Sequence, residues 1–181
     1  MRAKEMTFIA MTVGLISVCS WLTIPYVVPF TMQTFAVFCA VLLLGGKDGT
    51  FAVALYIILG SIGLPVFSGF RGGMGHLLGP TGGYILGFVF ISLSYLAFEP
   101  LIRGKRAFRI PALIIGLTIC YLVGTIWFSA VAGLQGKEYS FLTILSMCVL
   151  PYIIPDLIKL FLAIFVCDRA QKAISKLDSK P

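Results

Sequence analysis

The chain has 181 residues, 59% of them hydrophobic and only 12% charged, with a mean hydropathy of +1.03. Soluble domains average roughly 45–50% apolar and about 25% charged residues, so a water-soluble fold is excluded. The net charge of +7 does not indicate a nucleic-acid partner, because the Lys and Arg residues lie in short segments between apolar runs and not along one basic face.

No charge falls between Glu5 and Lys47, Asp48 and Arg71, Arg71 and Glu99, or Arg109 and Lys137. A helix needs about 20 apolar residues to cross a hydrocarbon core about 30 Å thick, so these gaps hold single spans or pairs of spans. With Pro, Gly and charge as punctuation, six transmembrane helices are predicted near 5–23, 31–46, 49–64, 81–102, 110–133 and 140–167. The expected class is all-α, one six-helix membrane domain over residues 1–181.

Arg2 and Lys4 precede the first apolar run, which continues to about Leu22 without a small-x-small cleavage site; it is expected to be a span and not a signal peptide. Ala10 and Gly14 form a small-residue face on it, suited either to packing inside the bundle or to a partner's helix. The connection Ile24–Phe30 follows, and Gln33 stands at the mouth of the second span, where it can bind a ligand or bridge the helix end. The second and third spans are short and joined by Gly45-Gly46-Lys47-Asp48-Gly49, as one helical hairpin.

The connection from Leu64 to Pro80, between the third and fourth spans, is apolar, Gly-rich and expected outside. Irregular backbone at membrane depth must pack in protein or line a cavity. The segment is therefore either a lid over a site or a compact loop on the helix ends. Within it, Arg71 can meet an anionic solute or be a solvated loop charge, and His76, the only histidine, is expected to make a polar contact. Gly83/Gly87 and Gly116/Cys120/Gly124 repeat at four-residue spacing on the fourth and fifth spans and are expected to pack inside the bundle. The five cysteines stand singly and read as packing residues, without the paired spacing of metal or redox sites.

The sharpest signal is Pro151-Tyr152-Ile153-Ile154-Pro155-Asp156-Leu157-Ile158-Lys159, with an acid and a base three residues apart and so neighbours on a helix. Counted back from Cys167, Asp156 lies roughly 17 Å and Lys159 roughly 12 Å from the helix end. An ion at such depth costs about 2.5–3.5 kcal/mol or more unless it meets a partner or a polar cavity, and is a functional site by default. The alternative is a self-neutralising pair with Lys159 snorkelling to the headgroups. Pro155 is expected to free the Pro151 carbonyl and to bend or break the helix there.

With the N-terminus inside, cytoplasmic segments carry eleven of the fourteen Lys and Arg residues: Arg2, Lys4, Lys47, Arg103, Lys105, Arg106, Arg109, Arg169, Lys172, Lys176 and Lys180. Arg71 and Lys137 lie outside and Lys159 within the last span, so both termini are expected in the cytoplasm and the chain in the cell membrane. Enzyme signatures are missing: Gly45-Gly46-Lys47-Asp48 lacks the earlier Gly and the Ser/Thr of a phosphate loop, and no hydrolytic or zinc motif is found. No enzyme activity, cofactor or metal is expected, and uphill transport would draw on a partner or an ion gradient.

Taken together, Val28-Pro29-Phe30-Thr31-Met32-Gln33-Thr34, Leu42-Leu43-Leu44-Gly45, Gly60-Ser61-Ile62-Gly63-Leu64-Pro65-Val66-Phe67, Arg71-Gly72-Gly73 and Leu77-Leu78-Gly79-Pro80-Thr81-Gly82-Gly83-Tyr84 closely resemble the BioY family. These are the biotin-specific substrate-binding (S) components of energy-coupling factor transporters. The resemblance implies a six-helix protein binding biotin near the outer face, with a transmembrane coupling protein and two cytoplasmic ATPases as partners. It carries ligand contact over to Asp156 and Lys159, and by the surrounding motifs to Gln33, Arg71 and Tyr84. It also implies that Ala10 and Gly14 dock on the coupling protein. Biotin's own chemistry suits these residues: Asp156 can accept from a ureido N–H, Lys159 or Arg71 can meet the carbonyl or carboxylate, and Tyr84 and Tyr152 can cover the ring. The alternatives are an S component for another small vitamin, an intramembrane enzyme, or a structural membrane subunit.

Overall fold

A computed structural model describes residues 3–137 and 139–178; Arg2 and Lys180 lie outside them. The chain runs α1 (Ala3–Trp21), β1 (Thr23–Ile24), β2 (Phe30–Thr31), α2 (Gln33–Ser61), α3 (Met74–Leu77), α4 (Gly82–Gly104), a 3₁₀ turn (Arg106–Phe108), α5 (Arg109–Leu134), α6 (Phe141–Cys148) and α7 (Leu150–Asp178). Among the described residues, five helical stretches are long and apolar enough to cross a membrane. Their outer faces carry large apolar side chains, such as Ile126, Ile154, Ile158 and Phe165, which water would penalise and lipid accepts. The chain is a multi-pass membrane protein.

The predicted hairpin of the second and third spans lies within α2. Gly45 adopts φ 84°, ψ 176°, a conformation that costs a residue with a Cβ and is free to Gly. The chain reverses there: a Cβ on Gly49 would sit 2.8 Å from the Cα of Val41, whereas eight residues of straight helix span about 12 Å. The two legs, 33–44 and 46–61, fold against each other, and Gly46 packs on Leu96 of α4.

The small residues of the fourth and fifth spans pack internally, as expected. A side chain at Gly83 or Gly87 would overlap Trp127 or Cys120 of α5, and one at Gly116 or Gly124 would overlap Ile91 or Tyr84 of α4. In lipid, where apolar burial brings little association energy, such close backbone approach is what joins helices. Ala10 and Gly14, by contrast, are exposed, and nothing lies within 4 Å of a Cβ built on Gly14. α1 instead buries Ile9, Val13 and Ile16 against the bundle.

Three expectations need correction. The chain is mostly helical and not strictly all-α: Thr23 pairs with Thr31 and Ile24 with Phe30 in a small antiparallel ladder. The predicted span 140–167 is two helices, and the break falls at Val149 (φ −124°, ψ −56°) and not at Pro155. Pro151 sits in the first turn of α7, where its missing N–H is harmless, and α7 continues through Pro155. The expected polar contact of the His76 ring is not seen among the described residues: the ring stacks on Phe67 (5.5 Å, 28°), and its Nε2 is buried without a partner there.

The 64–80 connection packs down on the helix ends. Phe67 is fully buried against Tyr56 and the bare backbone of Gly60. Ser20 and Tyr56 donate to the Val66 carbonyl at 2.6 and 3.0 Å, and Trp21 donates to that of Pro65 at 2.9 Å. These hydrogen bonds, with the backbone bridge between Phe67 and Arg71, satisfy backbone that would otherwise be stranded near the membrane surface.

Candidate ligand-binding site

On α7, Asp156 and Lys159 are 3% and 6% exposed, with Lys159 Nζ 2.8 Å from Asp156 Oδ1. Ions buried to this extent must recover lost hydration through further hydrogen bonds. β2 and the start of α2 supply them. Lys159 Nζ donates to the Thr31 carbonyl at 2.7 Å and to Thr34 Oγ1 at 3.3 Å, and Thr34 Oγ1 donates to Asp156 Oδ1 at 2.9 Å. From α5 the Tyr121 hydroxyl donates to Asp156 Oδ2 at 2.6 Å. The ammonium also lies 4.3 Å from the Phe30 ring centroid, a cation–π distance. Lys159 therefore does not snorkel; it points across to α2 and joins three elements.

The donor and acceptor capacities of the pair differ. All three N–H groups of Lys159 are engaged. A carboxylate offers about four lone-pair positions, and three donors reach that of Asp156.

The pair forms part of the wall of a cavity with about 590 Å³ of free space, its open mouth included. Val28, Pro29, Ile85 and Phe88 make the wall apolar; Thr31, Gln33, Thr34, Ser68 and Thr81 add polar groups; Tyr84, Tyr121 and Tyr152 add aromatic ones. Gln33 opens α2, and its Nε2 donates to the Tyr56 hydroxyl, so it both ties the helix end and reaches the cavity. Tyr152 stacks on Phe30 (5.9 Å, 27°) and donates to the Val28 carbonyl. Tyr84 lies against Gly124, its hydroxyl 3.4 Å from Thr125 Oγ1. A mostly apolar recess with a few converging polar groups is the usual form of a small-molecule site.

The model of the BioY family matches residues 1–176. The chain belongs to the BioY family. It is 38% identical over 172 residues to a probable biotin transporter BioY of Pyrococcus horikoshii, covering 94% of this chain and 98% of that one. It is 39% identical over 162 residues to the biotin transporter BioY of Thermotoga maritima, covering 88% and 90%. A crystal structure of the S-component for biotin from an ECF-type ABC transporter superposes with a TM-score of 0.81 at 29% identity, over 93% of this chain and 91% of that one.

In this BioY-family chain five of the six side chains singled out from sequence line one cavity: Gln33, Tyr84, Tyr152, Asp156 and Lys159. Arg71 does not. It is exposed on the 64–80 connection, of which Ser68 alone reaches the wall. Burial, and secondarily the nearby Arg71, hold the His76 imidazole below its usual pKa. Thr34 and Tyr121, both hydrogen-bonded to Asp156, were not anticipated as site residues. Thr34 closes the Pro29–Thr34 motif, which gave a usable signal; Tyr121 lies beside Cys120 in an apolar span and gave none.

Proposed function

We propose that this chain is the membrane subunit that captures biotin and mediates its uptake, energised by ATPases on partner subunits. The observation that carries the reading is a buried, hydrogen-bonded Asp156–Lys159 pair on the wall of an apolar and aromatic cavity. The names of the relatives and of the similar solved structure support it.

Biotin has a ureido ring with two N–H donors and one carbonyl, an apolar bicycle and a carboxylate tail. One ureido N–H donates to the remaining lone pair of Asp156 and the other to the Tyr121 hydroxyl oxygen, while Lys159 fixes the orientation of the carboxylate. Gln33 offers its second amide hydrogen to the ureido carbonyl, and Tyr84 and Tyr152 cover the bicycle. Arg71, three residues from the cavity-lining Ser68, meets the carboxylate tail at the mouth.

In the same reading each leg of α2 crosses the bilayer, giving six crossings in a single domain with both termini in the cytoplasm of the cell. The reversal at Gly45 and the eleven-to-two split of cations support this. The partners are a transmembrane coupling protein and two cytoplasmic ATPases, and the outward Ala10/Gly14 face of α1 supports docking there.

The test is equilibrium binding of biotin, riboflavin and thiamine to the purified chain. Biotin is expected to bind far more tightly, because the wrong vitamin leaves buried polar groups unpaired. Equal or undetectable binding across the three ends the reading.

A further inference from the structure

A second pocket lies where the Gly45 reversal, the α4–α5 turn and the end of α7 meet, and the biotin reading leaves it unused. Its lining joins a leucine wall, Leu42, Leu43 and Leu44, of which Leu43 is exposed, to Arg103, Arg106 and Arg109. Asp168, which Arg109 contacts, is twelve residues from Asp156, about 18 Å along α7. The two sites therefore sit in opposite halves of the bundle.

We infer that this pocket binds the phosphate of an anionic membrane lipid, with the leucine wall against its acyl chains. Charge is the first reason. Three guanidinium groups face two carboxylates, Glu99 and Asp168, leaving an excess of one positive charge. Arg109 is firmly held, 12% exposed and 2.9 Å from Asp168, with its Nε buried and without a partner among the described residues. Arg103 and Arg106 are held loosely: their side chains are 80% and 70% exposed, at 3.4 and 3.9 Å from their carboxylates. Exposed pairs of that length contribute little, so both guanidiniums can turn to a phosphate, which their planar fork grips in bidentate fashion.

The apolar wall decides the source of the phosphate. Leu43 and the neighbouring Leu101 are exposed, so the pocket adjoins the surface that meets lipid. A free phosphate ion would gain nothing from three leucines, whereas a lipid matches both halves of the pocket. Basic recesses at the ends of membrane helices recognise headgroups on this principle. A headgroup there would clamp the α2 reversal to the α4–α5 turn and to α7.

The test measures lipid retained by the purified full chain, by native mass spectrometry, after equilibration with phosphatidylglycerol or phosphatidylcholine. Phosphatidylglycerol should be retained in preference, and the preference should fall roughly fivefold for each arginine replaced in Arg103→Gln and Arg106→Gln. Biotin affinity, read in parallel, should not change, so this inference and the biotin reading fail separately. Equal retention of the two lipids by the wild-type chain overturns the proposal even if the variants purify poorly. Displacement of the lipid by millimolar inorganic phosphate would make the pocket a free-phosphate site and also overturn it. So would an unchanged lipid preference in variants that lose the coupling protein, since the arginines would then be a protein-docking surface.

Discussion

Asp156 and Lys159 are each other's nearest charge, and this makes single and double replacements informative in different ways. Lys159→Met leaves Asp156 buried with only hydroxyl donors, and Asp156→Asn strands the ammonium; breaking a buried pair in this way typically costs about 3–5 kcal/mol. Replacing both together removes the stranded charge, so much of the thermal stability should return. Biotin affinity should not return: loss of a charge-assisted contact weakens binding roughly ten- to a hundredfold. Calorimetric binding and thermal unfolding on the three variants separate the roles, and a double variant that binds biotin normally would reduce the pair to a structural one. The pair was legible because charge deep in an apolar run has few bland explanations. Tyr121, which supplies the carboxylate's third donor, was not, because a tyrosine in a span carries no mark of which way it points. Arg71 was read from its charge and its motif as an anion contact or a solvated loop charge, and its place outside the cavity lining depends on how residues 64–80 pack, which no local pattern encodes.

At the scale of elements, small-residue stripes that look alike in sequence do different work. Gly124 receives the Tyr84 ring, whereas Gly14 faces outward with nothing near it. A leucine at Gly124 should therefore push Tyr84 into the cavity, costing about 1–3 kcal/mol of stability by overpacking and weakening biotin binding as well. A tryptophan at Ala10 or Gly14 should leave stability and biotin affinity nearly unchanged while abolishing uptake in cells and co-purification with the coupling protein. If the α1 variants lose expression and binding together, the docking face lies elsewhere. Spacing alone foretold which positions are small and not which helix they meet. The helical crossings were readable because charge-free gaps have a length scale fixed by the bilayer. The break at Val149 was not, because it lies among apolar residues and away from the prolines that drew attention.

For the whole molecule, the proposed orientation puts the Asp156 cavity toward the outside and the arginine-rich end in the cytoplasm. All five native cysteines are buried, so an introduced thiol can be read against a low background. Lys137→Cys and Lys47→Cys replace exposed residues on the connection after α5 and at the α2 reversal. In intact cells a membrane-impermeant maleimide should label the first and not the second, and opening the cells should expose both. Labelling of position 47 from outside would invert the topology, and with it the direction of capture.

The segment 23–31 is fastened to α7 at two points, through Lys159 to the Thr31 carbonyl and through Tyr152 to the Val28 carbonyl. Val28, Pro29 and Thr31 are also cavity wall. On the proposed reading the solute packs against this strap, so parting those bonds should ease its departure and residence time should depend on the strap as well as on the contacts to the ring. Affinity and dissociation rate then become separable. Tyr152→Phe removes one fastening, worth about 1 kcal/mol, and should speed biotin release about fivefold, a change that a stopped-flow chase with unlabelled biotin resolves. Amide exchange across 23–31 should slow in the loaded protein by a factor that follows the same rate, linking how long the vitamin waits in the membrane to a single tyrosine hydroxyl.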